Sequence, residues 1–314
     1  MKHYVTALSG ALFGLLFAAI PAQADPVELS LATATKGGGF ELYGSNAAAV
    51  INEVDPSLNV VAKNTKGSLE NIGLLADGKF DLGLVQGVAA YEAFAGIGQE
   101  PVDLKVIAAI YSSPGMFVVK ADHPARSVSD LLGKPIAWGT TTSGLTLMAR
   151  YIMDGLGHDR DKDFQPRFLK RAGDGPPLVL SGEVDAFWGA GIGWPGFKRV
   201  MAGGGRFIGF SKDEVEKVTS KHTFLKPMVV PAGSYKGQEK DVQAVGVWSF
   251  LLAGPDLPDD VAYKIAKALS DGQEKLAAKL PQAKETTPAN TRAAAERDRI
   301  HPGVLRFLDE KLGE

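Results

Sequence analysis

An α/β fold with a largely parallel sheet is what the residue pattern predicts, on three observations. Strand-like and helix-like stretches alternate along the chain, the alternation restarts near residue 127, and polar, glycine-rich turns recur where a strand signal gives way to a helix signal. Of the 314 residues, 45% are hydrophobic and 22% charged, which excludes a disordered chain and leaves room for more than one lobe. The absence of Cys excludes a disulfide framework, a thiolate metal site, a cysteine nucleophile and a lipoprotein anchor.

The N-terminus has the layout of a secretory signal peptide. Lys2 and His3 precede an apolar run over residues 7–20, and Ala22 and Ala24 supply small residues two apart. The run is too short to span about 30 Å of hydrocarbon. Residues 1–24 are therefore expected to be removed after Ala24, leaving residues 25–314 as an exported chain. A net charge of −2 without a basic block argues against a nucleic-acid partner.

The elements follow in order. Residues 27–34 are rich in β-formers with near-alternation, a strand leading to a Gly-rich turn. Residues 42–54 carry Ala and Val at helical spacing, and residues 58–62 read as a second strand. Residues 68–76 are helical, with Leu69, Ile72, Leu75 and Ala76 on one face, and residues 81–85 form a short strand apolar on both faces. Residues 104–111 and 116–119 read as two strands broken by Ser112, Ser113, Pro114 and Gly115.

In the second unit, Ser127 and Asp130 form a capping box opening a short helix at Leu131 and Leu132. Residues 135–138 are a strand, residues 139–144 a turn, and residues 145–156 a helix ended by Gly157. A Pro-bounded segment, residues 178–182, leads to a strand over residues 184–188, a glycine-dense loop at 189–193, and a strand at 206–210. Residues 242–252 are extended. Residues 258–280 read as one long helix, with Asp259 and Asp260 favourably placed against its dipole, and residues 289–312 as a helix interrupted at Pro302. No linker separates the two units, so the chain is expected to cross between lobes through extended segments near residues 111–117 and 242–249.

Loops 33–40, 64–68 and 138–144 each follow a strand and precede a helix, and residues 189–193 make a fourth. In an open α/β sheet, ligands sit at the carboxyl ends of strands, where helix N-termini present unpaired N–H groups to anions. Glycine lets the backbone approach a ligand, and Ser and Thr add hydroxyl donors. The residues expected to line an anion site are Thr35, Gly38, Gly39 and Phe40 in the first loop and Gly67 and Ser68 in the second. Thr140, Thr141, Thr142 and Ser143 belong to the third loop, and Gly189 and Gly191 to the fourth. Gln86 follows a strand directly, Tyr111 stands at the first crossing, and Trp138 and Trp188 are candidate walls. Ordinary strand-to-helix turns use the same residue types, and buried tryptophans also serve as core. Lys36, Lys63, Lys66, Arg150, Arg167 and Arg171 remain open as charge partners.

Sharper motifs fail on inspection. Residues 139–144 have the glycine spacing of a phosphate-binding loop, but Leu145 stands where its lysine belongs. Gly37, Gly38 and Gly39 do not complete a dinucleotide fingerprint, since Leu42 takes the place of the last glycine. Asp159, Asp161 and Asp163 begin like a calcium loop, but Phe164 and Lys170 replace its glycine and glutamate. His123, His158, His222 and His301 lack metal-ligand spacing. No metal, cofactor or catalytic residue set is expected.

Several segments resemble the TAXI family of solute receptors for TRAP transporters. They are residues 31–40, with Lys36, Gly37, Gly38 and Gly39, and residues 66–86, which carry Gly67, Ser68, Glu70, Asn71, Leu74, Leu75, Asp81 and Gln86. Residues 127–144, 182–188, 231–238, 256–261 and 301–304 continue the likeness over nearly all of the mature chain. The resemblance implies a type II periplasmic binding protein, with two α/β lobes joined by hinge strands and a ligand cleft between them. Lobe 1 would comprise residues 25–111 and 246–314, and lobe 2 residues 112–245. It further implies a monomeric periplasmic receptor for a small organic anion such as glutamate or 2-oxoglutarate, delivering it to TRAP membrane subunits. Phe40 and Glu41 replace hydroxyl residues usual in the family, and residues 189–194 are unusually rich in Gly and Trp, which points to a bulkier or aromatic acid. A receptor serving an ABC permease or a sensor kinase, and an exported enzyme with dispersed catalytic residues, are the alternatives.

Overall fold

The computed structural model describes residues 25–313 together with Met1, so the expected export signal otherwise lies outside the described residues. The chain begins with β1 (Val27–Ala32), α1 (Gly39–Val54), β2 (Leu58–Lys63), α2 (Ser68–Ala76), β3 (Leu82–Gln86) and α3 (Gly87–Ala95). A long strand, β4 (Lys105–Lys120), leads to β5 (Pro135–Gly139), α4 (Gly144–Leu156), β6 (Gln165–Phe168), α5 (Gly175–Ser181), β7 (Ala186–Ala190) and α6 (Pro195–Ala202). Next come β8 (Gly205–Ile208), α7 (Lys212–Lys221), β9 (Lys226–Val230) and a second long strand, β10 (Val242–Ala253). Helices α8 (Asp259–Asp271), α9 (Gln273–Lys279), α10 (Pro288–Ala294) and α11 (Pro302–Leu312) close the chain.

The strands run β2-β1-β3-β10-β4-β7-β5-β6, with β8 beside β4 and β9 beside β10. Within each half the inner pairs β1–β2, β1–β3, β5–β6 and β5–β7 are parallel. Strands β4 and β10 run antiparallel to their neighbours, so the sheet is mixed rather than largely parallel. Strand β10 pairs with β9 over Val242–Gly246 and with β3 over Ser249–Ala253. Strand β4 pairs with β10 up to Gly115 and with β7 over Gly115–Val118. Two α/β lobes result, joined by two continuous strands.

The expected break at Ser112–Gly115 does not exist: β4 is unbroken. Pro114 pairs opposite Gly246, where an added Cβ would lie 2.1 Å from the Ser113 carbonyl oxygen. That close approach and the regular pairing of Ser112–Gly115 with Trp248–Val245 hold the breaker residues in the strand. The single helix expected over residues 258–280 is divided at Gly272, where a Cβ would meet Val50 of α1 at 2.3 Å. The short helix at Leu131 is a single 3-10 turn over Ser129–Leu131. There the Asp130 carboxylate accepts from the backbone of Arg126 and Ser127 and from the Ser127 hydroxyl. Residues 178–182 belong largely to α5, and the following strand lies two residues later than expected, at Ala186–Ala190.

Side-chain bonds tie the chain end to the first lobe. Thr286 donates to the Ile110 carbonyl at 2.6 Å and pairs with the Tyr43 hydroxyl, while Thr291 accepts from Ala109 N–H at 3.1 Å. Asn71, fully buried, donates to the Thr33 and Leu84 carbonyls at 2.8 and 2.7 Å, clamping α2 onto β1 and β3.

Candidate functional site

A cavity lies between the lobes at the carboxyl ends of β1, β3, β5 and β7. It offers about 70 Å³ to the centres of water-sized groups. Twelve of the residues expected at the site line it: Thr35, Gly38, Gly39, Phe40, Gly67, Ser68, Gln86, Tyr111, Trp138, Thr140, Ser143 and Trp188. Thr141, Thr142, Gly189 and Gly191 are not among the lining residues.

The first lobe contributes two helix starts without side-chain caps. Helix α1 follows Gly38, whose carbonyl accepts from Leu42 N–H, so the helix supplies no acceptor to the N–H groups of its first turn. Helix α2 follows Gly67, whose φ of 118° is open to glycine and strained for other residues. From the second lobe, α4 begins at the cavity with Ser143 as its cap, and Thr146 pins the preceding loop by donating to the Trp138 and Thr140 carbonyls.

The hydroxyls at the site are poised to donate. The oxygens of Thr35, Ser68 and Ser143 accept from the backbone N–H groups of Ala172, Gln86 and Leu145. Their own O–H groups are left for another acceptor. The Tyr111 hydroxyl bonds to no described residue, and burial first, then neighbouring Tyr43, holds its pKa above the ordinary tyrosine value. It stays protonated and can donate. Gln86 is differently placed: its Oε1 accepts from Val88 N–H at 2.8 Å, and its amide nitrogen lies 3.2 Å from the Met148 sulfur. Both ends of this expected ligand contact are engaged within the protein.

Three tryptophans close the second-lobe side. Trp188 donates its N–H to the Leu145 carbonyl at 2.9 Å, and Gly115 makes room for the ring, since a Cβ there would lie 2.6 Å from it. Trp194 lies across Gly189, where a Cβ would come within 2.0 Å of the indole. The Tyr235 hydroxyl accepts from the backbone N–H of Trp194 at 3.2 Å and donates to the Gly191 carbonyl at 2.6 Å, fixing that loop. Gly189 and Gly191 thus position Trp194. Trp138 is fully buried, and its indole N–H has no partner.

Lys66 is the one charged side chain lining the cavity among the described residues, and its ammonium stands 3.6 Å from Glu70 with 74% of the side chain exposed. The other basic candidates lie outside the lining; Arg150 pairs with Glu92, Arg171 with Asp174, and Lys63 stands over Phe80. No carboxylate lines the cavity, and the described residues hold no cluster of His, Cys, Asp or Glu fit for a metal.

The lobes also touch directly. Thr142 donates to the Lys66 carbonyl at 2.8 Å, Leu69 N–H to the Thr142 carbonyl at 3.1 Å, and Ala172 N–H to Thr35. Sequence reasoning missed Ser113 and Ser249, buried on the crossing strands with their hydroxyls 2.9 Å apart at the cavity. Only the pairing of β4 with β10 brings these residues, distant in sequence, together.

Two α/β lobes, two continuous crossing strands and a cavity between them define the fold of periplasmic solute-binding proteins. The chain belongs to the NMT1-like family, which matches residues 31–311. Among solved structures, one described as a periplasmic transporter superposes with a TM-score of 0.56 at 16% identity, covering 94% of each chain. An ancestral arginine-binding protein bound to arginine gives 0.51 at 14% identity, covering 81% of this chain and 97% of that one. A putative periplasmic sulfonate-binding protein, SsuA from Methylobacillus flagellatus KT, gives 0.50 at 14% identity, covering 92% and 96%.

Proposed function

We propose that the protein is an exported, non-enzymatic receptor that closes two lobes around a small organic anion and passes it to a membrane transporter. The carrying observation is that donors gather at the cavity while no carboxylate lines it. Hydroxyls whose oxygens already accept backbone N–H groups surround helix N-termini, and no carboxylate is present. Lobe 1 is residues 25–111 and 246–314, lobe 2 residues 112–245, and the hinges lie in β4 and β10 where these strands change partners. Ligand contacts to both lobes then favour the closed form.

The likeness to TAXI receptors favours TRAP membrane subunits as the acceptor and the periplasm as the compartment. The N-terminal signal layout supports export, and no helix of the described residues is long and apolar enough to cross a membrane. A thermal-shift screen over carboxylates, sulfonates, amino acids, neutral compounds and cations tests the reading. An anion is expected to raise Tm and to be recovered unchanged. A Tm raised only by neutral compounds or cations, or a product released from the added compound, overturns it. Uptake into vesicles carrying TRAP subunits, against vesicles carrying an ABC permease, assigns the acceptor.

A further inference from the structure

We propose that the acidic headgroup of the ligand, a carboxylate or sulfonate, sits on the N-terminus of α1, where backbone N–H groups meet the Tyr111 hydroxyl and the indole N–H of Trp194. This inference rests on the receptor reading and names the donors that read the headgroup.

Of the helix starts at the cavity, that of α1 holds the most unused donors. The N–H groups of Gly39, Phe40 and Glu41 have no acceptor among the described residues. In α2 the Leu69 N–H is taken by the Thr142 carbonyl of the other lobe. In α4 the Leu145, Thr146 and Leu147 N–H groups are taken by Ser143. Glu41, the acidic residue in the first turn of α1, does not line the cavity.

Two unpartnered side-chain donors converge on this helix start. Tyr111 and Trp194 both line the cavity, and each is only 7% exposed. A methyl at Gly39 would lie 3.4 Å from the Tyr111 hydroxyl oxygen and 3.6 Å from the Trp194 indole nitrogen. Unlike the sealed Trp138 N–H, both atoms keep accessible surface while lacking a partner among the described residues. Buried polar groups rarely stay unpaired, so a ligand that reaches both gains what the protein leaves unmade. An indole N–H only donates, and the buried tyrosine keeps its proton, so the complement is an acceptor. A carboxylate or sulfonate supplies several lone pairs on adjacent oxygens, whereas a primary amide turns N–H groups toward donors.

Both donors are held in place. Trp194 is wedged over Gly189, with the Phe187 and Phe197 rings 5.0 and 4.9 Å away, and reaches α1 because its Cδ1 would stand 3.0 Å from a Cβ at Gly39. Tyr111 meets the Tyr43 ring edge-on at 5.3 Å. Gly39 belongs to the first lobe and Trp194 to the second, so a headgroup touching both favours closure.

Titration calorimetry of the full mature chain uses pyruvate, succinate, 2-oxoglutarate, glutamate, benzoate and ethanesulfonate, each beside the amide of the same skeleton. At least one acid is expected to bind, with its amide about 10- to 100-fold weaker. The carboxylate and sulfonate arms identify the headgroup. Tyr111→Phe removes a hydroxyl that bonds to nothing in the protein, so an unchanged unliganded Tm is expected with about tenfold weaker acid binding. Trp194→Phe keeps a ring and removes the N–H. In both variants the acid is expected to lose affinity and the amide to keep it, which lowers the acid-to-amide ratio about tenfold. A ratio unchanged in either variant, including an equal loss for acid and amide, overturns the inference and leaves the receptor reading standing. An amide that binds the parent as tightly as its acid does the same. No binding by any of these acids overturns the inference, and failure of the wider anion screen overturns the receptor reading as well.

Discussion

Substituting Gly144 by Ala adds one methyl group at the start of α4, and the structure places that methyl between the lobes. Its Cβ would lie 2.6 Å from the Gln86 Cβ and 3.0 Å from the Ser68 hydroxyl, both on the first lobe. Carbons in good contact stand about 3.5–4.0 Å apart, so the intrusion is about 1 Å. Gln86 has little freedom to yield, since its backbone N–H bonds to Ser68 and its side chain to Val88 N–H. Overpacking of this kind costs about 1–3 kcal/mol, which corresponds to roughly 5- to 150-fold in Kd. With the lobes apart the clash vanishes, and Ala in place of Gly adds a few tenths of a kcal/mol of stability. The expected result is therefore a ligand affinity reduced by that factor, an unliganded Tm within a few degrees of the parent, and a larger radius of gyration by small-angle X-ray scattering. An affinity equal to that of the parent at equal compactness would refute the reasoning, because closure would then not bring Gly144 against Gln86.

The remaining predictions test other links. Thr142→Val removes the 2.8 Å bond to the Lys66 carbonyl across the cleft; titration calorimetry is expected to show two- to tenfold weaker ligand binding with Tm of the unliganded protein held. Asn71→Leu leaves two buried carbonyls without their donor, and urea unfolding is expected to show a loss of about 3 kcal/mol. Burial, its largest influence, holds the His301 pKa below the ordinary 6.5, so the unfolded chain binds more protons than the folded one and stability falls as pH drops below 6.5. His301 caps α11 by accepting from Gly303 N–H, and His301→Asn retains a capping oxygen without the titration. Its pH–stability curve is expected to be flatter below 6.5 than that of the parent, and parallel curves would exclude His301 as the titrating group.

Elements set by neighbours a few positions away were legible. Helix α2 spans the expected Ser68–Ala76, and Gly157 ends α4 in the left-handed conformation with φ of 87°. Strand β3, read as apolar on both faces, is buried at every position. The glycine-rich turns also pointed to most of the lining, because loops that join strand to helix at a sheet's carboxyl edge must converge once the strands are parallel. Elements that depend on distant partners were not legible. The Ser-Pro-Gly stretch of β4 reads locally as a break, yet β10 on one side and β7 on the other supply the pairing that keeps it extended.

The hydrophobic pattern and turn chemistry sufficed for an α/β chain with polar, glycine-rich turns along one edge, since both depend on spacing along the chain. The limits of that edge depend on contacts that spacing does not encode. Gly115 and Gly189 look like flexible loop residues in the sequence, but each removes a Cβ so that a tryptophan can lie against the backbone and narrow the cavity. The charge balance inside is likewise a matter of three-dimensional packing: of six basic candidates only Lys66 reaches the site, and its ammonium stays at the mouth. A side chain's place in sequence sets which bonds it can form, and close packing from both lobes sets which ones remain for a ligand.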